Sequence, residues 1–108
     1  MEKKKPHYPL DQIQALVRSP RSRRITKSAL DTAAQLGLDD RDIVKCVLGL
    51  GPANLYKSMT SHANPTLWQD VYRDDYDGYR LYIKLQISQD ALAIVVSFKE
   101  IRRDRGAI

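Results

Sequence analysis

This chain is poor in the residues that build metal sites and covalent cross-links. Its 108 residues include one cysteine, Cys46, and two histidines, His7 and His62. A single cysteine excludes an intrachain disulfide and any multi-cysteine zinc site, and it fits a reducing, cytoplasmic setting. His7 stands near a terminus, His62 in a stretch that reads as a loop and Cys46 in a helical pattern, so no metal-ligand spacing results. Neither a metal nor a cofactor is expected. Long apolar runs are also missing. The longest, around Leu92–Val96, is far short of a membrane span, and the basic start MEKKKPH lacks the apolar stretch of a secretory signal behind it. No glycine-rich loop follows a strand pattern, because Gly49 and Gly51 close a helical pattern rather than open one. No Glu/Asp pair stands out for glycosidase-type work. The aspartates at 70–77 read as hairpin-turn residues in place of a magnesium site.

What the chain does have is positive charge, +5 net, unevenly spread. Residues 18–27 (RSPRSRRITK) hold five cations and no acid, and residues 99–105 (KEIRRDR) hold four cations and two acids. Acids gather at Asp39, Asp40 and Asp42 and again at 70–77. Such a balance suits a polyanion partner and says nothing about fold. Taken one by one, the clusters also read as ordinary solvated loops and tails.

The length suits one domain, with about residues 1–7 and 102–108 as flexible basic tails. Up to Pro52 the pattern is helical. Residues 9–19 place Leu10, Ile13, Leu16 and Val17 on one stripe. Residues 25–37 have Thr26 as N-cap, a stripe of Ala29, Leu30, Ala33 and Ala34, and Gly37 as an αL stop. Residues 39–51 start on Asp39 and carry Ile43, Val44, Val47 and Leu48 inward. Beyond Pro52 the period becomes two. RLYIKLQIS puts Leu81, Ile83, Leu85 and Ile87 on one face and Arg80, Tyr82, Lys84 and Gln86 on the other. ALAIVVSFK puts Leu92, Ile94, Val96 and Phe98 inward, and Ala93, Val95, Ser97 and Lys99 opposite. In TLWQDVYR, with Trp68 and Tyr72 in the core, Gln69, Val71 and Arg73 point away. With turns at Asp77-Gly78 and Ser88–Asp90, residues 66–99 make a three-stranded antiparallel meander, and LYKSMTS adds a fourth strand or an irregular element. The fold class is α+β, N-terminal helices packed on an antiparallel sheet.

One sheet face then presents Gln69, Tyr82, Lys84 and Lys99, and Lys57, the only charge between Lys45 and Asp70, stands close enough in sequence to join them. From pattern alone the favoured reading is an ordinary solvated face. The residue types suit phosphate, with lysine as a compact charge and glutamine and tyrosine as hydrogen-bonding groups that fix geometry. RNA brings its own nucleophile, the 2′-hydroxyl, so side chains that align it and stabilise the phosphorane can cut the strand without a metal. Tyr56 and Met59 offer surfaces to unstacked bases. Arg73 and Lys84 are further candidates for RNA contact, and His7 could reach the site from the N-terminal arm.

A competing reading takes residues 26–50 as a DNA-binding helix-turn-helix. Its second helix would present Asp39, Asp40 and Asp42 to the phosphate-lined groove, which repels them.

ALDTAAQLGL, LYKSMTS, LWQDVYR, LYIKL and VVSFKE occur in the order and near the spacing of the MqsR family, the motility quorum-sensing regulator toxins of bacterial toxin–antitoxin pairs, which the chain resembles from about His7 to Glu100. The resemblance implies a RelE-like α+β fold and a metal-independent mRNA endonuclease cutting single-stranded mRNA at GCU-like triplets. It also implies a cognate MqsA-type antitoxin that binds zinc and DNA, so that DNA is reached only through that partner. It assigns the catalytic roles to Lys57, Gln69, Tyr82 and Lys99. The chain departs from the family pattern by about two extra residues between Asp90 and VSFK, by Gln89 where some relatives have histidine, and by the tail IRRDRGAI.

Overall fold

The alternation of residues 66–99 is realised as three long antiparallel strands, β4 (Trp68–Tyr76), β5 (Tyr79–Ile87) and β6 (Ala93–Glu100). The computed structural model describes residues 1–101, so the basic cluster at 102–105 lies outside the described residues. LYKSMT is indeed a strand, β3 (Leu55–Thr60), antiparallel to β4. Two short strands have no periodic signature. β1 (Glu2–Lys3) pairs antiparallel with β3, and β2 (Arg23–Ile25) pairs parallel with β6. The sheet order is β1-β3-β4-β5-β6-β2, so the sheet is mixed where an antiparallel one was expected. Residues 2–3, expected to lie in a flexible tail, are part of its edge.

Three helices cover one face. α1 (Leu10–Val17) starts behind Pro9, whose carbonyl accepts from the N–H groups of Gln12 and Ile13, and it buries Ile13 and Val17. α2 (Lys27–Gln35) is capped by Thr26, whose hydroxyl oxygen accepts from Ala29 N–H at 3.1 Å. Only Ala29 and Ala33 of its expected stripe are buried; Leu30 and Ala34 face outward because two small residues suffice for close approach to β6. α3 (Asp40–Leu48) opens on a capping box between Asp39 and Asp42. Its acids thus satisfy the helix's own N–H groups, and Ile43, Cys46 and Val47 are buried in the core. The helix pair is scaffold, which disfavours the DNA-reading alternative. Gly37 adopts φ +76°, the left-handed value expected of a helix stop.

The core fills the space between these helices and the inward side chains of the sheet, among them Tyr72, Leu81, Ile83, Leu85 and Phe98. On β6 the expected phase is reversed over half its length. Ala93 and Val95 are buried, and Ile94 and Val96 are not. The pairing with β5 runs Leu85↔Val95 and then Lys84↔Ser97, so Val96 is an extra residue in a bulge. Beyond it Phe98 returns to the core and Lys99 to the open face.

Asp70, expected in a turn, is instead fully buried in β4 on the helix side of the sheet, beside Leu85 in register. Its carboxylate accepts from the backbone N–H of His7 (3.0 Å to each oxygen), from Tyr8 N–H (2.9 Å) and from the Ser58 hydroxyl (2.6 Å). The Tyr8 hydroxyl adds a bond to the Trp68 carbonyl at 2.7 Å. The N-terminal arm is therefore pinned to the sheet centre, and β1 is laid along β3. Asp70→Asn keeps the size but turns one acceptor into a donor facing N–H groups. We expect a loss of about 2 kcal/mol, read as a lower urea midpoint at unchanged m-value, with hydrogen exchange rising first in residues 2–8.

Candidate active site

The face of the sheet opposite the helices is organised by register. Residues in register share a face, neighbouring strands lie about 4.8 Å apart, and successive rows on one face are about 6.6 Å apart. One row runs Met59, Gln69, Gln86, Ile94; the next Lys57, Val71, Lys84, Ser97; the third Arg73, Tyr82, Lys99. Tyr56 stands at the irregularity between Leu55 and Lys57 and brings its ring to the third row. β1 adds Glu2, in register with Met59.

The rows converge around Tyr82 and Tyr56. Lys99 Nζ lies 4.9 Å and Lys84 Nζ 5.9 Å from the Tyr82 ring centroid. The Arg73 guanidinium stacks 3.5 Å from the centroid of the Tyr56 ring, and Lys57 and Lys4 approach the same ring at 5.3 and 5.2 Å. Arg73 Nε is buried without a hydrogen-bond partner among the described residues. Val71, fully buried between Lys57 and Lys84 in the central row, gives the lysine stems an apolar floor. Gln69 is only 7% exposed, and its amide donates to Gln86 Oε1 at 2.8 Å, which fixes its orientation at the far end of the face.

Crowded cations on an apolar floor perturb one another. Burial first, and then the charges of Lys99 and Lys57, hold the Lys84 ammonium below the usual lysine range. Lys57 goes the other way. Its Nζ donates to Glu2 Oε2 at 2.7 Å, and that hydrogen bond keeps it protonated above its ordinary value. The same bond pulls the Glu2 carboxyl down. Burial raises the Tyr82 phenol, against the opposing pull of Lys57, so it stays neutral and able to donate.

Of the nine residues singled out from sequence, eight share this face: Lys57, Gln69, Tyr82, Lys99, Tyr56, Met59, Arg73 and Lys84. His7 does not join them. Its ring stacks on Trp68 (centroids 5.4 Å apart, planes at 13°), and its N–H is held by Asp70, on the helix side of the sheet. Arginines 23 and 24 lie on β2, at the opposite sheet edge from β1. Sequence reasoning missed Glu2 and Lys4, because a two-residue strand has no period and an arm of lysines reads as a tail.

The chemistry this face can perform is anion recognition with oriented cations, a neutral phenol and an amide. Residues 5–100 match the family described as "Motility quorum-sensing regulator, toxin of MqsA". The chain is also 42% identical over 100 residues to the "mRNA interferase toxin MqsR" of Escherichia coli (strain K12), with 93% of this chain and 99% of that protein covered. A match over residues 5–100, which takes in the three helices and strands β2 to β6, leaves one conclusion: this chain belongs to the MqsR toxin family.

Proposed function

We propose that the chain is the toxin of a toxin–antitoxin pair and an endoribonuclease that cuts single-stranded mRNA in the cytoplasm, at GCU-like triplets, by attack of the 2′-hydroxyl on the adjacent phosphate. The observation that carries the reading is the convergence of Lys57, Lys84, Lys99 and Arg73 on the Tyr56–Tyr82 surface. The name of the Escherichia coli relative points the same way. An antitoxin of the MqsA type is the partner, and DNA is reached only through it.

In this reading Lys57 and Lys99 hold the non-bridging oxygens of the scissile phosphate and stabilise the phosphorane dianion, with the Tyr82 phenol as a hydrogen-bond donor to it. Gln69, locked by Gln86, orients the backbone one row away. Tyr56 with its Arg73 cap, and Met59, supply surfaces for unstacked bases. Lys84 is the proton donor to the leaving 5′-oxygen, because an ammonium of lowered pKa gives up its proton most readily. Products are a 2′,3′-cyclic phosphate and a 5′-hydroxyl. The cations are side chains, so chelation leaves the reaction running.

A short single-stranded RNA containing GCU is expected to be cut equally with and without EDTA. Lys57→Ala and Tyr82→Phe each lower kcat by about 100-fold or more while the urea midpoint stays near wild type. An intact RNA, or cutting abolished by EDTA and restored by a divalent metal, refutes the reading. The pH profile tests the donor. Protonated Lys84 is the active form, so kcat falls as pH rises through its lowered pKa. Lys84→Arg keeps the charge but has no proton to release in that range, so its kcat is low and the alkaline limb is gone.

A further inference from the structure

The ribonuclease reading leaves the proton of the attacking 2′-hydroxyl without an acceptor. Gln69 cannot take it, Lys57 is held protonated, and Tyr82 is a neutral phenol. Among the described residues the open face carries two carboxylates: Asp75 lies one row beyond Arg73 and is paired with Arg80 at 3.3 Å, whereas Glu2, delivered by the arm, is the one bonded to Lys57. β1 puts Glu2 in register with Met59, and its Oε2 accepts from Lys57 Nζ at 2.7 Å. Glu2 is 56% exposed and Lys57 only 19%, so the carboxylate is the outer, substrate-facing member of the pair. Among the described residues its second oxygen, Oε1, accepts no hydrogen bond. The arm is held there by backbone pairing, by Thr60 N–H on the Met1 carbonyl (3.0 Å) and by Asp70, rather than by the ion pair itself.

Beside this pair a recess of about 460 Å³ is lined by Glu2, Lys57, Met59, Thr60, His62 and Pro65, among others. Its lining offers a sulfur surface for a base, a hydroxyl and an imidazole for polar edges, and a carboxylate and an ammonium. Its volume suits one nucleoside.

We propose that this recess takes the nucleoside on the 5′ side of the cut and that Glu2 is the general base that accepts its 2′-hydroxyl proton. With the phosphate on Lys57, the proton passes from O2′ to Glu2 Oε1 as the O2′–P bond forms. The P–O5′ bond then breaks, and O5′ takes a proton from Lys84. Charge and atoms balance without any co-reactant. The groups facing Glu2 are Lys57 from β3, Lys4 and the Met1 amine from its own arm, and His62 from the β3–β4 loop. The cations keep Glu2 ionised at neutral pH and ready to accept.

The inference rests on the ribonuclease reading, and steady-state cleavage of the GCU-containing RNA by wild type, Glu2→Gln and Glu2→Asp separates the two. Glu2→Gln is expected to lose at least ~100-fold in kcat with KM changed little, and Glu2→Asp to recover part of it, at unchanged urea midpoints. A Glu2→Gln protein with wild-type or higher kcat overturns the inference while leaving the ribonuclease reading intact, since it makes Glu2 a mere counterion competing with phosphate for Lys57. Activity lost in His62→Ala but kept in Glu2→Gln overturns it likewise. A wild type that leaves the RNA whole overturns both.

Discussion

A buried carboxylate, with no countercharge bonded to it among the described residues, organises this molecule. Asp70 sits near the start of β4, and the cost of desolvating it is offset by two backbone N–H groups and one hydroxyl from β3. Those two N–H groups belong to His7 and Tyr8, the residues between the arm and α1. The bond therefore fixes where the chain enters the helical layer and where the arm lies on the sheet. Because side chains alternate along a strand, the backbone that turns Asp70 to the helix side turns Gln69 and Val71 to the open side. One anchored residue thus sets the geometry of both faces.

The open face is a different kind of problem. Three lysines and an arginine gather on an apolar floor, and Lys84 among them is held below the usual lysine range by burial and by the charges of Lys99 and Lys57. Nothing in the folding of the sheet requires this, since a mixed-charge surface would be more stable. A fold that tolerates such crowding stores unfavourable electrostatics that an anion relieves on binding. The Nε of Arg73, buried without a hydrogen-bond partner among the described residues, lies on the same face. The functional reading rests on this local disagreement between stability and charge placement.

How much of this was legible in the sequence follows from which signals are periodic. The meander and the alternation of β5 were readable because Leu81, Ile83 and Leu85 repeat at two and their neighbours are polar. From that alone Tyr82 and Lys84 had to share a face. β6 misled because the four residues up to the bulge, Ala93 to Val96, are all apolar, so Val96 could be inserted without breaking any visible pattern. The bulge falls in the segment between Asp90 and VSFK, where the sequence resemblance leads one to expect about two residues beyond the family pattern. Lys99 reached its expected face because the extra residue at Val96 reset the phase before it. β1 and β2 were invisible, since two or three residues cannot display a period. Asp70 looked like one more acid of an Asp-rich turn, because nothing in sequence distinguishes a carboxylate that will meet backbone N–H groups sixty residues away. His7 was misplaced for the same reason.

The placement of Glu2 bears on why the site holds a carboxylate among so many cations. A phosphodiester carries one negative charge and the phosphorane two, so acceleration requires a site that prefers the second to the first. A purely cationic face stabilises both, and much of its attraction is spent on ground-state binding. With ionised Glu2 bonded to Lys57, the resting site holds one positive charge fewer. In the proposed reaction the 2′-hydroxyl proton moves to Glu2, so that carboxylate becomes neutral at the step in which the phosphorus centre gains its second charge. Lys57 is then released from its ion pair and directed wholly to the phosphorane. The proton transfer and the electrostatic stabilisation become one event, and the preference for the transition state arises from a change in the site's own charge.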